Sequence, residues 1–146
     1  MKRFIKVCMM MTIAMAALHI QPAFSGEPQV DKNIIGSWKM TQNAKDSSGK
    51  PCPFVPESFV FYKDHTLTMT NMGDQRLPYK TAVTSKEKQI IEKRVPDLKG
   101  KNLLLVRPYP NFDWADTPMI YAYTVEKNEL TLILQGWSPA KYARVK

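Results

Sequence analysis

The stretch "MIYAYTVEKNELTLILQ", residues 119–135, is the part of the sequence that decides the fold class. Met119, Tyr121, Tyr123 and Val125 recur at every second position, as do Leu130, Leu132 and Leu134, with Lys127-Asn128 between the two runs. A period of two puts each set on one face of an extended chain, and asparagine tolerates the left-handed backbone that a tight turn requires. The segment reads as a β-hairpin with one apolar face.

The same pattern recurs on the N-terminal side. In "ESFVFYKDHTLTMTNM", residues 57–72, Phe59 and Phe61 share one face, Leu67 and Met69 another, and Lys63-Asp64-His65 lies between the runs as a second hairpin turn. Residues 34–42 read as a first strand, and "NLLLVR", residues 102–107, as a compact apolar strand between Gly100 and Pro108. "AKYARVK" closes the chain as a strand. The intervening "LPYKTAVTSKEKQIIEKRV" is read as two strands, near 77–84 and 88–94, although "KEKQIIEKR" also suits a short helix capped by Ser85. The total is eight or nine short strands with no long helix, an all-β pattern of a sandwich or a barrel. Consecutive hairpins favour an antiparallel up-and-down barrel of about eight strands, because closure removes exposed edges.

Residues 1–25 carry Lys2, Arg3 and Lys6, then an apolar run, then Ala23-Phe24-Ser25. That is the layout of a secretory signal peptide, with cleavage expected before Gly26 and one barrel domain expected over 26–146. The apolar run is too short for the roughly 20 helical residues that span a bilayer, so no transmembrane segment is expected after cleavage and a periplasmic or secreted location is. Cys52 is the single cysteine beyond residue 25. No intramolecular disulfide can form there, and the thiol is either buried and inert or an intermolecular partner.

The segment 26–146 retains 18 basic and 13 acidic side chains, a net charge of +5. Residues 80–107 supply that surplus with eight basic and three acidic groups, either a solvated face or a surface for acidic partners. A secreted chain meets little nucleic acid, and none is expected as a partner. Nothing in the sequence sets an oligomeric state.

Chemistry is sparse. His65 is the one histidine beyond residue 25, which leaves too few ligands for a structural Cys/His zinc site. There is no Gly-x-Ser-x-Gly elbow, phosphate-binding glycine loop or dinucleotide fingerprint, and Asp113 and Asp116 read as solvated or capping carboxylates. No catalysis, cofactor or metal is expected. The segment that invites a binding role is "RPYPNFDWADTP", residues 107–118, where Tyr109, Phe112 and Trp114 form either a ligand lid or a plug on the core. Phe59, Phe61, Met69, Tyr121 and Tyr123 are candidate lining residues of the interior. Alternation alone does not separate a filled barrel from one with a pocket.

The first strand begins "GSW", Gly36-Ser37-Trp38, and the last carries Arg144. Gly-x-Trp on a first strand, a long loop, a β-meander and a late arginine resemble the lipocalin-like branch of the calycin barrels. "FVFYKDHTLTMT" also resembles small bacterial members of that group, with His65 where an Asp-Gly turn is usual. The resemblance implies that Gly36 lets the strand bend, that Trp38 closes one barrel end, and that Arg144 packs across its ring. It also implies a non-catalytic protein that binds a small apolar or amphipathic molecule in the barrel. The alternative is an interaction module, such as a barrel-type protease inhibitor or envelope accessory factor, that uses its loops and the basic 80–107 segment.

Overall fold

The structure is a computed structural model that describes residues 30–146. The expected signal peptide lies outside the described residues. The chain forms eight antiparallel strands in a closed barrel, each paired with its neighbour in sequence and β8 with β1. They are β1 (Gly36–Gln42), β2 (Ser58–Phe61), β3 (Thr66–Met69), β4 (Leu77–Lys80), β5 (Leu103–Val106), β6 (Met119–Glu126), β7 (Glu129–Ile133) and β8 (Ala140–Arg144).

Side chains fill the interior. Phe59, Phe61, Leu67, Met69, Leu104, Leu130 and Tyr142 are each at most 2% exposed, and the rings of Phe59 and Phe61 stack at 5.3 Å. This is the size of barrel whose lumen side chains can just fill. The alternation read from sequence is the physical cause: in β2 and β3, Phe59, Phe61, Leu67 and Met69 are buried while Ser58, Val60, Thr66 and Thr68 between them are only partly so. His65 closes the β2–β3 turn at φ 64°. In the β6–β7 turn the positive φ falls on Lys127, at 47°, and not on Asn128.

One expectation is corrected. Residues 77–94 do not form two strands: β4 ends at Lys80, and Ser85–Arg94 is a helix, α1. Its N-cap is Thr84, not Ser85. The Thr84 hydroxyl accepts from Glu87 N–H at 3.2 Å, and the Glu87 carboxylate accepts from Thr84 N–H at 3.0 Å, a reciprocal capping box. Pro96 follows the C-terminal turn, where it cannot continue the ladder.

The helix lies outside the barrel and builds a second core. Ile91 packs with Leu98 and with the outward residues Leu103, Leu105, Ile120 and Ala122. Consequently β5 is buried on both faces along its whole length, which explains why it reads as an unbroken apolar run rather than an alternating one.

The two barrel ends differ. At one end, the 3-10 turn Lys32–Ile34 crosses the opening and buries Ile34 completely. At the other, four connections meet: residues 43–57, 70–76, 107–118 and 134–139. The first of these folds inward, and its Ala44, Cys52 and Val55 join the main core. Cys52 is a free thiol, 2% exposed.

Candidate functional site

The closed end is organised around Trp38. Its ring is fully buried, and its indole N–H donates to the Ile34 carbonyl at 2.7 Å. Trp38 and Arg144 are direct partners in the β1–β8 ladder, and the guanidinium carbon sits 4.2 Å from the ring centroid. Arg144 also donates to the carbonyls of Ile35 at 2.7 Å and Asn33 at 2.8 Å. Gly36 completes the set: its φ is +128°, and a Cβ there would lie 2.7 Å from Arg144 Nη1. The glycine thus serves both the backbone bend and the space that Arg144 occupies.

Two further contacts seal this end. The Tyr123 hydroxyl donates to Asp31 Oδ2 at 3.1 Å, and the Tyr79 hydroxyl to the Tyr62 carbonyl at 3.2 Å. Burial raises the pKa of both phenols, with the Asp31 carboxylate adding to the rise; Tyr123 is pushed up to about 12. The end is a structural closure.

The opposite end holds a cleft of about 470 Å³. Its walls are Pro53 and Phe54 from the first long connection, Asn71 and Met72 beyond β3, and Pro108, Tyr109, Pro118 and Met119 around the 107–118 loop. Leu134 closes the side, and Ile120 and Tyr121 complete the lining. No lysine, arginine, aspartate, glutamate or histidine belongs to the lining, so the cleft is apolar with a few uncharged polar groups. Phe54 and Tyr109 are 66% and 57% exposed, the two most exposed large hydrophobic residues described. Phe54 leans edge-on against Trp137 at 6.5 Å, and Tyr109 meets the Phe112 ring at 5.8 Å.

The candidates read from sequence therefore separate into four places. Tyr109 and Tyr121 line the cleft, and the Phe112 ring packs against that of Tyr109. Phe59, Phe61 and Met69 are core, while Tyr123 belongs to the closed end. Trp114 turns away to the helix side, where Lys80 Nζ lies 5.1 Å and the Arg107 guanidinium 4.8 Å from its ring centroid. There Lys80, 5% exposed, also pairs with Glu87 at 2.5 Å. One member of the basic 80–107 segment is thus an internal strut rather than a surface charge, whereas Lys86, Lys93, Lys99 and Lys101 are exposed.

Phe54, Met72 and Leu134 were not legible as site residues. The cue for Phe54 is its isolation in "PCPFVP", a large apolar ring among prolines with no strand to bury it. The cleft offers apolar contact and uncharged hydrogen bonding. Comparison with family models, with characterised proteins and with solved structures gives no match.

Proposed function

We propose that this chain is a non-catalytic, lipocalin-like binding protein that holds a small apolar or amphipathic molecule in the cleft at the loop end of its barrel. The observation that carries the reading is the uncharged cleft of about 470 Å³ rimmed by two exposed aromatic rings. That volume lies in the roughly 300–1,000 Å³ range of small-molecule sites, which are mostly apolar with a few polar groups. A concentrated exposed apolar surface of this kind is a usual mark of a binding site. The Gly36, Trp38 and Arg144 arrangement supports the lipocalin-like affiliation, and the leader-like residues 1–25 support a periplasmic or secreted location.

Native mass spectrometry of the protein purified gently from its own host tests the proposal. The expected spectrum shows a reproducible added mass of small-molecule size that disappears on denaturation. A Leu134→Arg variant, which introduces a charge into the wall, is expected to lose that mass. A bare protein mass, or the same adduct on both proteins, would contradict the reading.

A further inference from the structure

The polar groups of the cleft are unequal. Asn71 and Tyr109 are exposed at the rim, whereas Tyr121 is 3% exposed on the inward face of β6 and still belongs to the lining. The three other buried phenols all have protein acceptors: Tyr79 the Tyr62 carbonyl, Tyr123 the Asp31 carboxylate and Tyr142 the Pro56 carbonyl. The Tyr121 hydroxyl makes no hydrogen bond to any described residue. Among the described residues, two side-chain polar atoms, Asn43 Oδ1 and Arg107 Nε, are sealed from solvent without a hydrogen-bond partner, and Tyr121 Oη is not one of them. The hydroxyl therefore keeps a small accessible surface, beside the buried Cys52 and Tyr142, on a residue that lines the cleft.

A buried phenol with no protein acceptor is costly unless something in the cleft accepts its proton. We infer that the cleft selects a neutral amphiphile whose leading end carries a carbonyl oxygen, as in a ketone or ester, and that Tyr121 donates its hydroxyl proton to that oxygen. The inference rests on the binding role proposed above and specifies its ligand chemistry. A carboxylate is disfavoured because no cation lines the cleft to replace the water it would lose. Arg107, the nearest cation in sequence to the lining residue Pro108, is turned to the Trp114 ring. Burial, aided by the neighbouring Cys52, pushes the Tyr121 phenol up to about 12, so it stays a donor through the neutral range.

Three probes of similar shape separate the possibilities: hexanophenone with a carbonyl, hexylbenzene without one, and 4-pentylbenzoate with a charge. Calorimetric titrations of the wild type and of Tyr121→Phe are compared. Loss of the hydroxyl is expected to weaken hexanophenone about tenfold, the worth of one good hydrogen bond, while hexylbenzene binds both proteins equally and 4-pentylbenzoate binds weakest throughout. The variant keeps the ring and removes a group with no protein partner, so its melting temperature is expected to stay level or rise. If the uncharged probes bind and Tyr121→Phe treats them alike, the carbonyl inference is overturned and the binding role stands. If neither uncharged probe binds the wild type, both fall.

Discussion

A glycine, a tryptophan and an arginine carry the closed end of the barrel, and each can be weighed separately. Replacing Arg144 with alanine removes two charge-assisted hydrogen bonds to main-chain carbonyls and the contact over Trp38. We expect a loss of about 2–3 kcal/mol in urea unfolding, since hydrogen bonds to charged groups contribute about 1.5–3 kcal/mol. Gly36→Ala forces a side chain into positive φ and against the guanidinium; the expected cost is about 1–3 kcal/mol, the range for such backbone strain. Combined in one chain, the two changes should cost less than their sum, because Arg144→Ala clears the space the new methyl needs. These three residues were legible through the resemblance of Gly-x-Trp and a late arginine to the lipocalin-like barrels. The carbonyls that Arg144 ties down were not, since they belong to the turn before β1 and no side-chain pattern marks them.

Among the elements, α1 is where sequence and structure part. Its residues are polar on most sides, and Ile91 alone is fully buried, so the helical period has one strong apolar point and the neighbouring strand runs dominate the reading. The information that settles it is local: a threonine followed three residues later by a glutamate, with a proline beyond the end. Thr84→Ala is expected to cost about 1 kcal/mol, the usual value of a lost N-cap, seen as a lower thermal midpoint. Glu87 has a second task as partner of the buried Lys80. Burial alone would raise its carboxyl pKa; the hydrogen bonds from Lys80 and the Thr84 N–H outweigh this and hold it below the ordinary value of 4.5. A depressed folded-state pKa contributes stability that is complete above the unfolded value and is lost as pH falls through the folded one. Denaturation midpoints should therefore fall on the acid side of about pH 4.5, and Glu87→Gln, which leaves Lys80 without its anion, should lower neutral-pH stability and flatten that acid limb.

For the whole molecule, the barrel was legible because inward residues alternate and turns are frequent, and the strand count settled at eight once 88–94 proved helical. The site was only partly legible. The 107–118 loop reads as a concentration of aromatic rings, but sequence order could not show that Tyr109 lines the cleft while Trp114, five residues on, covers the helix side. The opposing wall comes from Phe54 and Leu134, far apart in the chain and joined only by barrel closure. Closure also predicts the alkaline behaviour. Tyr121 and Tyr123 are pushed up to about 12, and Tyr79 and Tyr142 are raised as well, burial being the first cause in each. All four hold their protons more tightly folded than unfolded, so stability is intact below the ordinary phenol value of about 10 and falls as pH rises from there through the folded pKa values. Phenolate absorbance from these four rings should appear together with loss of the barrel's circular dichroism, and early phenolate formation with the fold intact would speak against their burial.

The most direct test of a binding site at the loop end is an amide NMR titration of isotopically labelled protein with hexanophenone. Binding in the cleft should gather shifts at residues 53–54, 71–72, 108–109, 118–121 and 134, with residues 31–36 at the Trp38 end unmoved. An unchanged spectrum at saturating probe, or shifts centred on the Trp38 end or on α1, would contradict a binding site at the loop end of the barrel.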